Sequence, residues 1–275
     1  MKHLNISAAI LTIVTVACAL LWAFPLYWAV ITTLKNEYEV VEPGIGLWPK
    51  IWTLGGYLYV ITNTQIGRWY LNSFVTSGAV TILVLMISAA CGYALSQLRF
   101  PGRTILWLII LASFMVPIQT LIVTHFILMN DFGFINRWAG VVLPQLIVPV
   151  AIIIYKQFFD QIPREYREAA LIDGASEYQL FFRVFLPMNW GITTALAIIT
   201  FIGAWNNFLW PFLVVTEQNM MNVTVGITQV HDAFGVQYAR NLSGAVLAAL
   251  PVALAYLLFQ RRVTEAIMLS AGIKG

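Results

Sequence analysis

Long apolar runs separated by short polar segments dominate the chain. Six stretches lack Asp, Glu, Lys and Arg for long enough to cross a membrane: residues 4–34, 69–98, 104–130, 138–155, 184–216 and 241–260. A helix rises 1.5 Å per residue, so about 20 apolar residues cross roughly 30 Å of hydrocarbon. The pattern predicts six membrane-spanning helices near 8–33, 71–97, 105–129, 139–159, 189–214 and 242–260. The fourth run is the shortest, but Lys156 can snorkel and let the span continue through Phe158 and Phe159. Barrel strands alternate and are shorter, so the expected fold class is all-α: a polytopic membrane protein forming one domain over 1–275.

The first run could be taken for a signal peptide, with Lys2 and His3 ahead of it and Ala17-Cys18-Ala19 faintly like a cleavage site. Its apolar character continues to Thr33, so an uncleaved helix is the expectation. Composition agrees with the membrane reading. The chain is 60% hydrophobic and 10% charged, where a soluble domain carries about 25% charged residues. The net charge of +3 is small and its basic residues are scattered, so nucleic-acid binding has no support. Cys18 and Cys91 both lie inside apolar runs and read as packing residues.

Orientation follows from Lys and Arg. With the N-terminus inside, the inner segments hold Lys2, Arg99, Arg103, Lys156, Arg164, Arg167, Arg183, Arg261, Arg262 and Lys274. The outer segments hold only Lys35, Lys50, Arg68, Arg137 and Arg240. This excess predicts N-in and C-in. The outer loop near 34–70, with Trp48-Pro49 and Gly55-Gly56, is expected to form a partly ordered cap on the membrane.

The longest inner loop, 160–187, has helices written into it. Pro163 suits a first helical position, and Glu165 complements the dipole of the first turn. Asp173-Gly174 signals a helix end. Ser176 with Gln179 forms a capping box for a second helix, which Leu186-Pro187 closes as the fifth span begins. Ala169, Ala170, Gly174 and Ala175 would let a partner approach the backbone, while Phe181, Phe182 and Phe185 are large and apolar at an aqueous edge. Such a hairpin fits either a groove in another protein or the lipid surface.

The string Glu168-Ala169-Ala170, then Asp173-Gly174-Ala175, then Leu186-Pro187 resembles the EAA loop of bacterial ABC importer permeases. Gly203-Ala204-Trp205-Asn206-Asn207-Phe208 resembles the Trp-Asn signature of the carbohydrate-uptake permeases. The ending Gly272-Ile273-Lys274-Gly275 is similar to the tail of the second permease of maltose-type sugar importers, where Val is commoner than Ile273. Phe100-Pro101-Gly102-Arg103 also fits. The resemblance implies the type I importer permease fold in a bacterial inner membrane. It implies that the loop couples to a separate ATPase: Glu165 and Glu168 by charge, Ala169 and Ala170 in the groove, Asp173, Gly174 and Ala175 at the bend, with Leu186 and Pro187 closing the motif. Gly272, Lys274 and Gly275 would also touch the ATPase. The implied partners are a second homologous permease, an ATPase dimer, an extracytoplasmic substrate-binding protein, a sugar and the bilayer. No cofactor is implied in this chain, ATP and magnesium being held by the ATPase.

Asn206 and Asn207 lie in an apolar run and must find partners there. They line a substrate path or make interhelical hydrogen bonds; Trp205 stacks on sugar or packs. His3, His125 and His231 have no metal-ligand spacing, and the chain lacks a Gly-Lys dipeptide and so any phosphate loop. Pro117, Pro144, Pro149, Pro211 and Pro251 are candidate kinks. The expected function is sugar import without catalysis. The alternatives are a permease for glycerol phosphate or another polar solute, and an ATP-independent carrier.

Overall fold

The computed structural model describes the backbone of residues 6–230 and 236–270, and the side chains of 10–230 and 236–260. His3, His231 and the tail residues Gly272, Lys274 and Gly275 lie outside the described residues.

Every regular element among the described residues is helical. The principal helices are α1 (Ile6–Thr33), α2 (Gly55–Asn63), α3 (Ile66–Gln97), α4 (Arg103–Phe114), α5 (Ile122–Asp131) and α6 (Trp138–Val142). They continue with α7 (Pro149–Asp160), α8 (Arg164–Ile172), α9 (Glu177–Leu180), α10 (Trp190–Trp205), α11 (Leu209–Val214) and α12 (Tyr238–Ser270).

Three continuous helices are long and apolar enough to cross a membrane: Ile10–Thr33 within α1, α3, and Tyr238–Gln260 within α12. Three further candidates are bent pairs, so the number of spans reaches 6 if each pair counts as one. Arg103–Phe114 and Ile118–Asp131 meet at 95°, Trp138–Gln145 and Pro149–Asp160 at 52°, and Glu177–Met188 and Trp190–Trp205 at 80°. Pro117 and Pro149 sit at the first two breaks, where each removes a helical N–H and pushes the preceding residue out of the α region. Pro251 lies within α12 without ending it.

The fifth run departs most from the expected 189–214. The third pair, which holds it, bends after Met188, where Asn189 leaves helical geometry at φ −105° and ψ 22°. The helix also stops at Trp205 and resumes at Leu209, so Asn206-Asn207 is an interruption. Leu186-Pro187 does not open this span. It continues the helix of α9 through a π-helical turn, Phe181–Phe185.

The chain divides into two compact units, Met1–Gly67 with Gly226–Pro251 and Arg68–Val225 with Val252–Gly275. In the first unit, the apolar side chains of α1 from Ile10 to Trp28 are exposed, as suits a helix solvated by lipid, and its end at Ile31 is buried. The segment after α1 is ordered by the helix end. Tyr27 Oη donates to Leu47 O and Trp28 Nε1 to Ile45 O, each at 2.8 Å, and the buried Lys35 ammonium donates to Gly46 O. The Arg240 guanidinium covers the Tyr59 ring at 3.5 Å, and Arg240 N donates to Glu37 Oε1.

In the second unit, α3 is anchored at both ends. Near its start, the buried Asn72 donates to Asn219 O at 2.9 Å and Met221 O at 3.0 Å, and its Oδ1 accepts from Trp138 Nε1 at 3.0 Å. Ser73 Oγ accepts from Val223 N at 2.8 Å, and Thr76 Oγ1 pairs with Asn222 Nδ2. Towards its other end, Gly92 meets α7 so closely that an added Cβ would lie 2.7 Å from Tyr155 Cβ and 2.9 Å from Lys156 N. Tyr93, Tyr155, Phe159, Leu180, Phe181 and Phe185 form an aromatic-rich core there with Ile192 and Leu196 of α10.

Candidate functional site

The hairpin 163–188 is specified by its own sequence. Pro163 stands one position earlier than expected, at the N-cap, and α8 begins at Arg164 with Glu165 in its first turn. The helix ends at Gly174, whose φ of +77° is left-handed and suits glycine. Gly174 N donates to Leu171 O at 3.0 Å and Ala175 N to Ala170 O at 2.9 Å. These two bonds form a Schellman ending that satisfies otherwise orphaned carbonyls. Ser176 then caps α9: Ser176 N donates to Gln179 Oε1 at 2.8 Å, and Ser176 Oγ accepts from Gln179 N. A cap of this kind contributes about 1 kcal/mol.

Tertiary packing sorts the hairpin residues into two sets. Ala170 and Ala175 pack against the aromatic core, as does Leu186. Glu165, Glu168, Ala169, Asp173 and Gly174 are exposed, and Pro187 is exposed further along. Of the three phenylalanines expected at an aqueous edge, Phe181 and Phe185 are core residues and only Phe182 remains exposed. Other apolar side chains take that place: Tyr166, Leu171, Tyr178 and, at 86% exposure, Ile172. These four, like Glu165 and Glu168, are left exposed by the described residues.

Beside that apolar packing, one carboxylate joins both arms of the hairpin to α3. Glu177 Oε2 accepts from Tyr93 Oη of α3 at 2.6 Å, and Glu177 Oε1 pairs with Arg167 of α8. The buried Tyr93 ring lies 5.1 Å from Phe185, 5.4 Å from Phe181 and 6.2 Å from Phe159. Nearby, Ser96 Oγ donates to Asp160 Oδ1 at 2.6 Å, and Arg103 donates to the carbonyls of Leu98 and Ser96. The Phe100-Pro101-Gly102-Arg103 turn thereby caps the end of α3.

A cavity of about 450 Å³ lies elsewhere in the same unit, where α3, α5, α7, α10, α11 and the turn at Pro144-Gln145 converge. Its wall is mainly apolar, with Gln119, His125, Gln145, Thr200, Asn207 and Trp210 as its polar or aromatic members. Asn207 Nδ2 donates to Gln145 Oε1 at 2.7 Å, so Asn207 both lines the cavity and makes an interhelical hydrogen bond. Trp210 Nε1 donates to Gly140 O at 3.1 Å, and its ring stands edge-on to His125 at 6.0 Å.

The two neighbours of Asn207 go elsewhere. Asn206 is exposed and ends α10. Trp205 is 1% exposed and packs among Tyr70, Phe74 and Phe201, off the cavity wall. Sequence reasoning missed Gln119 and Gln145, although each is a polar residue in a charge-free run, the signal that marked Asn207. It missed Tyr93 and Glu177 because neither stands out locally.

The family model described as "Binding-protein-dependent transport system inner membrane component" matches residues 5–264. The arabinooligosaccharides transport system permease protein AraQ of Bacillus subtilis is 31% identical, with 96% of this chain and 95% of that protein aligned. The diacetylchitobiose uptake system permease protein NgcG of Streptomyces coelicolor is 32% identical over 91% of this chain and 85% of that protein. Among solved structures, a chain of a bacterial ABC transporter that imports the acidic polysaccharide alginate superposes with a TM-score of 0.83. It covers 95% of this chain and 98% of that chain at 18% identity, a likeness of fold.

Proposed function

The chain belongs to the family of binding-protein-dependent transport inner-membrane components, whose relatives here are sugar ABC transporter permeases, and from that membership we propose that it is one permease subunit of an ATP-driven importer of a sugar or oligosaccharide. It is a multi-pass inner-membrane protein. In the proposed complex the hairpin lies on the cytoplasmic side and docks on a separate ATPase dimer, which holds the ATP and magnesium. A second homologous permease completes the pathway, and an extracytoplasmic binding protein delivers the substrate.

The observation that carries this reading is the hairpin. Its sequence spends a Schellman turn and a capping box on holding Glu165, Glu168, Ala169 and Gly174 outward, bordered by exposed Tyr166, Leu171 and Ile172. Large apolar residues beside acidic ones on a rigid protrusion suit a protein groove, where the apolar contacts give affinity and the charges set register. Glu168 and Glu165 offer charge, Ala169 permits close approach, and Gly174 with Asp173 and Ala175 sets the bend. Differential contact with open and closed ATPase supplies the coupling free energy.

For the substrate, the cavity beside Asn207 and Gln145 supports a pathway wall suited to a neutral polyol. Hydroxyls can meet Gln119, His125 and Asn207 while C–H faces meet apolar wall and Trp210. No Lys or Arg lines it, so an anionic substrate finds no countercharge in this cavity. Extraction of the native membrane complex tests the ATPase coupling. The ATPase should co-purify with the natural chain and be lost from Gly174→Pro, and a complex without ATPase, or one that keeps it in that variant, would sink the proposal. A panel of neutral and phosphorylated sugars in ATPase-stimulation assays tests the substrate class.

A further inference from the structure

Glu177 is a small feature with an unusual set of partners. Each of its two carboxylate oxygens is taken by a different element: Oε2 by Tyr93 of α3, Oε1 by Arg167 of α8, while the residue itself begins α9. One side chain therefore ties both arms of the hairpin to a helix long and apolar enough to cross the membrane. The core beneath already joins these elements by apolar contact. Apolar contact is non-directional and tolerates sliding or pivoting. Hydrogen bonds to a carboxylate are short and directional, and they select one angle.

The chemistry of Tyr93 agrees. Its ring is buried among Phe159, Phe181 and Phe185. A buried tyrosine needs a partner for its hydroxyl, and this one meets the carboxylate where the core ends and the polar hairpin begins. The segment between Glu177 and the bend at Asn189 contains a π-helical turn, Phe181–Phe185, a wider winding that costs stability and recurs at functional positions. A compliant turn on one side and a polar clasp on the other direct a push on the hairpin towards α3.

We propose that Tyr93, Glu177 and Arg167 form a polar clasp, a set of positioning residues, that makes the hairpin and α3 move as one body when the ATPase closes. The proposal rests on the ATPase-coupling reading above and adds the route by which the motion enters the spans.

The test uses the assembled complex with its ATPase in lipid nanodiscs. Spin labels are placed at the exposed Arg164→Cys, a hairpin position outside the proposed docking residues, and at the exposed Arg99→Cys, with Cys18→Ser and Cys91→Ser removing the native thiols. Magnesium AMP-PNP is the probe that closes the ATPase. The clasp predicts one narrow label-to-label distance, unchanged by nucleotide. Tyr93→Phe, which keeps the ring, and Glu177→Gln, which keeps the shape, should each broaden it about twofold and make it nucleotide-dependent. A narrow distance in both variants overturns the clasp, as does a distance that already shifts with nucleotide in the intact clasp. Loss of ATPase from Tyr93→Phe alone also overturns it, because the residue would then be a docking determinant. Absence of ATPase from the complex with the clasp intact overturns the coupling reading itself, and the clasp with it.

Discussion

The two ends of α3 are held by different chemistry. At one end Asn72, Ser73 and Thr76 bind the backbone and side chains of 218–223 and the Trp138 indole through buried hydrogen bonds. At the other, roughly 30 Å along the helix at 1.5 Å per residue, an aromatic core carries a single polar clasp to an exposed hairpin. The first arrangement closes on itself: the three groups that Asn72 engages all come from this chain. The second leaves acidic and apolar side chains uncovered. Where lipid removes most of the hydrophobic drive for helix association, buried polar contacts and close packing hold a bundle together. The Asn72 end therefore serves stability, and the Tyr93 end is the one through which the proposed clasp would carry motion.

That contrast can be broken by substitution. Asn72→Leu should cost the most. It leaves the Trp138 N–H and two backbone carbonyls without their partner, at about 1–3 kcal/mol for each buried group so stranded, offset partly by relaxation near the helix end. A Tm of the detergent-purified protein within a degree of the natural chain would remove the distinction between the ends. Gly92→Ala comes next, at about 1–3 kcal/mol, because the new methyl meets the backbone of Lys156 and not a flexible side chain. It should lower Tm and also loosen the contact of α3 with α7.

Hairpin changes should move binding more than folding. Gly174→Ala forces a β-carbon into a left-handed position at about 1 kcal/mol; the exposed bend relieves that strain by reshaping, which must be reversed on docking, so ATPase retention in pull-downs should fall about fivefold while Tm changes little. Glu168→Gln alters an exposed side chain and should leave Tm unmoved within about 0.5 kcal/mol. Its effect on ATPase retention should be smaller still and shrink further at high salt, as a surface charge contact does. A large Tm loss in either hairpin variant would contradict the division of labour.

Much of this was legible along the chain because it is local. The Ser176–Gln179 capping box and the Gly174 ending appear as expected, since caps and turns depend on residues within one helical turn. The family and the membrane location expected from the Glu168-Ala169-Ala170 string and the apolar runs are borne out. Orientation of the hairpin's side chains was not legible. Ala169 and Ala170 are neighbours of one type, yet one is exposed and the other lies on the core. Trp205 and Asn207 likewise belong to one motif, and tertiary packing sends them to different places.

By itself the sequence determined helix type, the apolar segments and the hairpin's turns, because hydrogen-bond geometry and transfer from water act residue by residue. Only the tertiary structure decided where the runs bend, that Gln145 would meet Asn207, and that Tyr93 would meet Glu177. Those pairings join residues far apart in the chain, and no periodicity records which distant helix a side chain will find. In a fold whose helices gain little from hydrophobic collapse, such buried polar meetings and the approach at Gly92 select one packing among many.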